Sequence, residues 1–242
     1  MGENSTLSRT AHGKDRETDQ PGRTVDIWHV DLSRICGKVL SHPYLNQSDR
    51  LATAGRADRA ATRVALRMLL GHITHLPASE LRFCAGPFGK PALQHSDLVF
   101  SVSRRESTAL IAVSQGAEIG LDFEIRRPVP ELFGIARMFH PAERQLLSHV
   151  PASERLDWFY RIWTRKEAVL KAIGTGLSVP LDSFCVVGAE TGKEPVRMRN
   201  PRSPEFYLQE LVLENGQFAC LASPDPDITP RMHRFWFPEQ AG

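Results

Sequence analysis

Three acidic side chains lie in stretches whose patterns otherwise predict packing against a core. Asp122 and Glu124 alternate along an apolar strand pattern at 117–124, so both point to one face of that strand. Glu167 falls near the centre of an apolar helical stripe, and Lys171 lies one turn further on. A carboxylate turned towards a core is unfavourable unless a cation pairs with it or it binds a metal. The three acids therefore indicate a functional site, although two acids at a strand end can also simply be solvated.

The donor set favours Mg²⁺ over zinc. Three carboxylates with no Cys or His among them supply the hard oxygen ligands that Mg²⁺ prefers. Mg²⁺ in proteins usually keeps several waters and completes its coordination shell with substrate phosphates. Basic side chains suited to phosphate lie in the stretches around these acids and elsewhere: Lys90, Lys166, Lys171, Arg59, Arg63 and Arg67. Acids for a metal and bases for phosphate together predict phosphoryl-type transfer on a pyrophosphate.

The three arginines also have a plainer interpretation. Arg59, Arg63 and Arg67 recur every four residues on a helix predicted at 58–73 and form a basic ridge. On spacing alone, such a ridge is more often a solvated face than a ligand site, and this is the favoured interpretation.

Length and composition are those of an ordinary globular protein. The 242 residues are 41% hydrophobic and 24% charged, which suits one or two domains. A formal net charge of +2 does not indicate nucleic-acid binding. Four cysteines without a C-x-x-C pair argue against zinc and against a disulfide framework, and they suit a reducing compartment. Since no apolar run is long enough to span a membrane and 1–23 lacks a signal-peptide core, we expect a soluble, cytoplasmic protein.

Local patterns predict strands and helices along the whole body of the chain. Apolar runs predict strands at 25–30, 98–103, 108–113, 117–124, 181–187, 206–213 and 218–222. Helical periodicity predicts helices at 58–73, 131–139, 141–150 and 153–173. A turn at 214–216 predicts a hairpin between the last two strands.

These elements predict an α+β fold built from two similar halves. Residues 1–23 are polar and are predicted to form a disordered tail. Residues 24–120 and 121–242 each contain strands and a long helix, which fits a pseudo-twofold duplication of an α/β subdomain with the active site between the copies. The Arg-Arg-Pro-Val-Pro segment at 126–130 marks the crossover, and the second half carries the metal and catalytic motifs.

Two motifs resemble the paired signature of the 4′-phosphopantetheinyl transferase superfamily: GLDFE at 120–124 and WTRKEAVLK at 163–171. Four further segments fit, the first two being similar to the larger, surfactin-synthetase-activating (Sfp-like) branch: FGKP at 88–91, FSVS at 100–103, MFHPAE at 138–143 and PLDSF at 180–184. The resemblance spans roughly residues 55–222, and the two main motifs are specific together but weak singly.

The resemblance implies an enzyme that moves the 4′-phosphopantetheine arm of coenzyme A to a serine of an apo acyl or peptidyl carrier protein and releases adenosine 3′,5′-bisphosphate. Asp122, Glu124 and Glu167 would hold Mg²⁺, or Mn²⁺ in its place, on the pyrophosphate. Lys171 would offset charge on the transferred phosphate. Glu167, directly or through a metal-bound water, would be the base for the serine. Coenzyme A contacts would come from Arg63, Lys90, Pro91, Ser103, Arg104, Lys166 and Lys171.

One segment departs from the family pattern. Where the family commonly has Ser-His-Ser, this sequence reads Ser103-Arg104-Arg105, and Ser101 replaces the asparagine of the same motif. Arg104 can replace the usual histidine as a phosphate contact, because a guanidinium is permanently charged and forked. It cannot serve where a neutral imidazole is needed.

Three functions are compatible with these motifs. The leading one is an Mg²⁺-dependent phosphopantetheinyl transferase that acts as a monomer, because a two-half chain builds the cleft by itself. We expect it to serve polyketide or nonribosomal peptide carriers rather than nucleic acid or a membrane. The second is a non-catalytic carrier-binding homologue, which the intact acids and lysines disfavour. The third is a metal-dependent hydrolase of a pyrophosphate or nucleotide, which would cleave coenzyme A without a carrier.

Overall fold

A computed structural model of the chain describes residues 24–35, 39–86, 88–174, 176–189, 192–196, 198–200, 203–214 and 216–235. The tail predicted at 1–23 and the centre of the turn predicted at 214–216 lie outside these residues.

The described residues form nine strands and five α-helices. The strands are β1 Thr24–Asp31, β2 Phe83–Ala85, β3 Pro91–Leu93, β4 Leu98–Arg105, β5 Thr108–Gln115, β6 Gly120–Ile125, β7 Tyr207–Glu210, β8 Gln217–Ser223 and β9 Thr229–Phe235. The helices are α1 Gln47–Thr53, α2 Ala57–Thr74, α3 Leu132–Ala136, α4 Pro141–His149 and α5 Ala152–Ile173. None of the helices in the described ranges combines the length and apolar character needed to cross a bilayer.

The strands form two main sheets and a small ribbon. The first sheet has the order β4-β5-β1-β9, the second has the order β6-β8-β7, and β2 pairs with β3. All neighbouring strands are antiparallel except β1 and β9, which run parallel. The α+β class predicted from the sequence is therefore confirmed.

Each main sheet shares a core with one long helix. Leu69 of α2 lies in the same apolar cluster as Ile111 of β5, and α5 packs on β6 and β8. A third cluster joins the inner faces of the two sheets and contains Leu110 of β5 and Phe123 of β6. Because both of its faces are covered, β5 is apolar at successive positions instead of alternating.

The two sheets meet along β4 and β6 through side chains. The hydroxyl of Ser101 accepts a hydrogen bond from the Leu121 N–H at 2.9 Å, and the hydroxyl of Ser103 accepts one from the Phe123 N–H at 3.1 Å. Both serines are buried. They satisfy backbone donors of β6 that no neighbouring strand reaches, and this fixes β6 against the first sheet.

The strand predicted at 181–187 is wrong. A 3₁₀ turn at Leu181–Ser183 and irregular chain take its place. The reason lies in the backbone acceptors, because the carbonyls of Leu181 and Phe184 accept hydrogen bonds from the buried ammonium of Lys166. These carbonyls are therefore not used in a strand ladder.

The sequence analysis did not predict β9. This strand follows β8 in the chain but pairs with β1, so the chain crosses back to the first sheet. Pro230 within the segment argues against a central strand, and β9 is an edge strand, where proline is tolerated. The predicted boundary between residues 120 and 121 stays a prediction, and β9 belongs by pairing to the sheet on the other side of it.

Candidate active site

β6 and α5 bring the three predicted acids to one place. Asp122 and Glu124 of β6 are only 2% and 4% exposed, and Glu167 of α5 is half-buried. Glu167 and Lys171 are one turn apart and therefore share a face of the helix. Glu167 experiences repulsion from both acids of β6, as expected for neighbouring carboxylates.

A glycine allows β6 to lie directly on α5. A Cβ atom at Gly120 would be 1.9 Å from the carbonyl oxygen of Ala168 and 2.3 Å from the backbone nitrogen of Ala172. Both neighbours are helix backbone, which cannot move aside cheaply. The glycine that opens the GLDFE motif is thus what sets the distance between the strand acids and the helix acid.

Asp122 is a buried carboxylate with one oxygen paired and one oxygen unpaired. Its Oδ1 accepts hydrogen bonds from Ser103 Oγ at 2.9 Å and Lys171 Nζ at 2.7 Å. Its Oδ2 is buried and has no hydrogen-bond donor among the described residues. Burial raises the pKa of Asp122, and the Lys171 ammonium opposes that shift. An unpaired buried acceptor is unfavourable, so Oδ2 fits the role of a ligand to a cation.

Glu124 is held by a forked ion pair. Arg105 donates Nε to Oε2 and Nη2 to Oε1, and Trp163 of α5 donates its indole N–H to Oε1 at 3.0 Å. Hydrogen bonding to Glu124 raises the pKa of Arg105, against the opposite effect of burial. Arg105 therefore carries its charge at all ordinary pH values.

Glu167 is a carboxylate whose charged form is disfavoured. Burial raises its pKa, repulsion from Asp122 and Glu124 raises it further, and Lys171 and Arg105 oppose the rise. A carboxylate with a raised pKa is a stronger base than an ordinary glutamate, so this side chain is suited to accept a proton from a hydroxyl.

The acid cluster has the donor chemistry of a divalent-cation site but is not preformed. No group of three or more Asp, Glu, His or Cys side chains within the described part of the chain is already placed to hold a metal ion. Arg105 and Lys171 instead occupy oxygens of Glu124 and Asp122. The unpaired Asp122 Oδ2 and the mutual repulsion of the three acids nevertheless fit a cation bound among them.

A cationic cleft of about 380 Å³ opens beside these acids. Its basic lining residues come from α2, β4 and α5: Arg59, Arg63, Arg104, Arg105 and Lys171. A second cavity of about 230 Å³ shares Pro91, Val102 and Lys171 with the first and continues towards Phe88 and Lys90. The two form an extended groove whose positive charge suits a ligand with several phosphates.

The arginine ridge on α2 is not a solvated face, so that interpretation is wrong for two of its three members. Arg67 is fully buried, and its guanidinium donates to Asp49 at 2.6 Å and to two backbone carbonyls. Arg63 pairs with Asp49 at 3.3 Å, and its buried Nη1 has no acceptor among the described residues. Arg59 is exposed. Arg63 and Arg59 line the cleft, whereas Arg67 fixes α2 to α1.

Lys166 does not lie at the cleft, which contradicts its expected contact with coenzyme A. Its ammonium is fully buried, donates to the carbonyls of Leu181 at 2.6 Å and Phe184 at 2.8 Å, and pairs with Glu143 at 2.9 Å. Adjacent positions on a helix are about 100° apart, so the neighbour of Glu167 points away from the acid cluster.

The partner of Lys166 connects two of the shorter family segments. Glu143 is fully buried, accepts the His140 N–H at the start of α4 and accepts the Val186 N–H at 2.8 Å. The HPAE segment, α5 and the chain after PLDSF therefore meet at one buried ion pair. These segments position the helix that carries Glu167.

The remaining predicted contacts line the groove but have internal partners. The Lys90 ammonium donates to Glu118 at 2.7 Å and to the carbonyls of Ile119 and Ala172. Arg104 pairs with Asp58 at 2.5 Å. Ser103 is buried and bridges Asp122 to β6, so its hydroxyl acts on the acid and not on the open groove.

Sequence reasoning missed three residues of the site: Arg105, Trp163 and Glu143. Arg105 belongs to the segment that departs from the family pattern, but the sequence does not indicate that it pairs with Glu124. Trp163 lies one turn before Glu167, and this spacing could have shown that its indole N–H reaches the acids. Glu143 gave no local signal, because its partner lies on another helix.

Comparison with known proteins gives one consistent family. The 4′-phosphopantetheinyl transferase superfamily model matches residues 118–222, which include the acid cluster. The 4′-phosphopantetheinyl transferase HetI of Nostoc sp. is 32% identical over 210 residues, which cover 82% of this chain and 86% of that protein.

Two further relatives are also phosphopantetheinyl transferases. The 4′-phosphopantetheinyl transferase Sfp of Bacillus subtilis is 31% identical over 171 residues, or 69% of this chain and 75% of that protein. The human L-aminoadipate-semialdehyde dehydrogenase-phosphopantetheinyl transferase is 31% identical over 188 residues, or 69% of this chain and 61% of that protein.

Proposed function

The chain belongs to the 4′-phosphopantetheinyl transferase superfamily, and we propose that it transfers the 4′-phosphopantetheine arm of coenzyme A to a serine of an apo carrier protein with the help of Mg²⁺. The observation that carries this proposal is an acid cluster beside a groove lined by five cationic side chains, with one buried carboxylate oxygen that no donor reaches among the residues the structure describes. A pyrophosphate needs both, since a divalent cation and fixed cations together neutralise its charge.

We assign the metal role to Asp122, Glu124 and Glu167. Bound there, Mg²⁺ or Mn²⁺ would neutralise charge on the pyrophosphate. The chain's own residues prepare the place: Ser103 orients Asp122, and Trp163 orients Glu124. Lys171 lies between the acids and the groove, where it can exchange its contact with Asp122 for a phosphate oxygen.

Coenzyme A would lie along the groove with its pyrophosphate towards Lys171. Arg63 supports this orientation, because its buried Nη1 has no acceptor within the described part of the chain and a phosphate would supply one. Arg104 is the proposed substitute for the family histidine. Pro91 and Lys90 would line the far end, with Lys90 acting mainly by holding the loop to the end of α5.

Glu167 is the proposed base, directly or through a water. It would take the proton of the carrier serine as the serine oxygen forms a bond to the β-phosphorus of coenzyme A. The bond from that phosphorus to the bridging oxygen then breaks, and adenosine 3′,5′-bisphosphate leaves with the electron pair. Lys171 would stabilise the charge that develops on the phosphate.

The test is incubation of the purified protein with coenzyme A, Mg²⁺ and apo carriers of the polyketide, peptide and fatty-acid types, followed by intact-protein mass spectrometry. A gain of one phosphopantetheine, lost in Glu167→Ala, is expected. No gain with any carrier type, although the protein binds a carrier, would support a non-catalytic role. Release of adenosine 3′,5′-bisphosphate without a carrier would support a hydrolase.

Finer features belong to the same proposal. Polyketide or nonribosomal peptide carriers are the proposed partners.

A monomer is proposed because both sheets and both long helices of the site come from one chain. Size-exclusion chromatography with light scattering tests the oligomeric state. A reducing, cytoplasmic setting is supported by the free thiols of Cys84 and Cys220.

A further inference from the structure

Arg105 is paired with Glu124, a carboxylate that a divalent cation would need as a ligand. Its guanidinium spans both oxygens of Glu124, and Trp163 donates to Oε1 as well. A carboxylate offers about four lone-pair positions, so three donors leave only one position on Oε2. A divalent cation can then approach Glu124 only weakly unless the guanidinium moves.

The charges lead to the same conflict. The three acids Asp122, Glu124 and Glu167 are offset by two internal cations, Arg105 and Lys171. A divalent ion placed among the acids would meet the guanidinium at close range, and like charges repel strongly in a half-buried setting. This explains why the described residues hold no ready-made group of metal ligands.

The guanidinium of Arg105 can also reach an alternative partner in the groove. Its side chain is 36% exposed and lines the same groove as Arg104 and Lys171. A planar guanidinium binds phosphate in the same forked way as it binds a carboxylate. Because Arg105 pairs with Glu124 and also lines the groove, a change of its side-chain rotamer can exchange the carboxylate for a phosphate bound there.

We infer that Arg105 is an internal counter-cation that competes with the divalent ion for Glu124 and transfers to a phosphate of the substrate when the ion binds. The inference rests on the proposed metal role of Glu124. It makes binding of the ion and of the phosphorylated substrate mutually favourable, since each removes an obstacle to the other.

The experiment measures metal binding directly. Mn²⁺ is titrated into the full-length protein without coenzyme A, and free Mn²⁺ is followed by electron paramagnetic resonance. Arg105→Ser is expected to bind Mn²⁺ about tenfold more tightly than wild type, because one close charge pair no longer opposes the ion. Arg105→Lys, which keeps the charge but not the fork, is expected to lie between the two. Arg104→Ser removes a charge from the same groove without touching Glu124, and is expected to change Mn²⁺ affinity far less.

A second readout separates competition from a purely structural role. Without metal, Arg105→Ser should melt at a lower temperature than wild type, because Glu124 loses its partner, and added Mg²⁺ should close that gap. Equal or weaker Mn²⁺ binding by Arg105→Ser, or a gap that Mg²⁺ does not change, would overturn the inference. If the wild-type protein binds no Mn²⁺ and Glu167→Gln does not change phosphopantetheine transfer, the proposed metal role of the three acids is wrong, and the inference about Arg105 is wrong with it.

Discussion

The carboxyl groups of Asp122 and Glu167 are held where their charged forms are disfavoured. Burial raises the pKa of both above the ordinary values of 3.8 and 4.5. Between the unfolded and folded pKa values, the folded protein binds more protons than the unfolded chain, so stability falls as pH rises through that window. Above the window the loss is complete. A divalent cation that binds only the folded protein restores stability there.

Glu167→Gln removes one charge from this cluster with little change in size. We expect the metal-free variant to be more stable than wild type at neutral pH, and to lose less stability as pH rises from about pH 4 to pH 8. Phosphopantetheine transfer should fall by at least about a hundredfold, because the proposed base and a metal ligand are lost. Thermal melts with and without Mg²⁺, together with the carrier assay, measure both effects.

Glu154→Gln is the matched control, because Glu154 lies on the same helix but is exposed. It should leave transfer unchanged and lower stability by less than about 1 kcal/mol, because the Glu154 charge only favours the start of the helix. Near-normal transfer by Glu167→Gln would contradict the metal and base roles, and a lower stability of that variant would contradict repulsion among the acids.

Lys166 and Glu143 set the position of α5 from the side opposite to the groove. Both are fully buried, and burial lowers the pKa of Lys166 while Glu143 opposes that shift. Lys166→Met leaves Glu143 as an uncompensated buried charge, which should destabilise the fold by about 3–5 kcal/mol. The partners of Lys166 within the described ranges are Glu143 and the carbonyls of Leu181 and Phe184, and none of these lines the groove. The kcat should therefore fall while the KM for coenzyme A changes little.

The double variant Lys166→Met with Glu143→Leu separates charge from shape. It should recover only part of the lost stability, because the uncompensated charge is gone but the Val186 N–H and the carbonyls of Leu181 and Phe184 are left without their partners. Urea unfolding and steady-state kinetics test both variants. A higher KM for coenzyme A in Lys166→Met without loss of stability would indicate that Lys166 contacts coenzyme A in the groove, and it would contradict a purely structural role.

At the scale of elements, β6 and α5 function as one unit because Gly120 lets them touch. Gly120→Ala forces a methyl group onto helix backbone at 1.9 Å, so we expect a loss of about 3 kcal/mol or more and a large loss of transfer activity. Gly134→Ala is the control, because its added methyl group would meet only the Glu131 side chain at 3.6 Å. Circular dichroism melts and the carrier assay distinguish the two. An active, stable Gly120→Ala would mean that β6 and α5 are further apart.

Patterns along the chain predicted these two elements and their acids, because periodicity reports which face of a helix or strand is buried. The same patterns placed Lys166 at the phosphates, since a motif fixes spacing but not direction. They also predicted a strand at 181–187, where the carbonyls instead bind Lys166. Contacts between distant segments, such as Lys166 with Glu143 or Arg105 with Glu124, have no local signal in the sequence.

At the scale of the whole molecule, β9, the last strand of the described chain, pairs with β1, the first strand. It pairs in parallel with β1, and the ring of His233 stacks on Trp28 and contacts Asp26 at 2.6 Å. The chain thus leaves the second sheet after β8 and adds an edge strand to the first sheet. We expect the two sheets to unfold in one transition, because this strand couples them.

Proline substitutions in β9 test that coupling. Pro230 pairs with Val25 of β1 and has no N–H to donate. Because proline is tolerated where the backbone N–H would point away from the neighbouring strand, we expect residues of its parity to turn their N–H groups away from β1 and residues of the other parity to turn them towards it. Arg231→Pro should therefore remove a ladder hydrogen bond and lower the melting temperature, whereas Met232→Pro should change the melting temperature little.

Thermal melts are followed by both tryptophan fluorescence and circular dichroism. Wild type should show one coincident transition, and Arg231→Pro should show a transition that is lower in temperature or split in two. An equal lowering of the melting temperature by the two prolines would contradict the pairing. An unchanged single transition in both variants would show that the β4–β6 seam and the apolar cluster between the sheets couple them without β9.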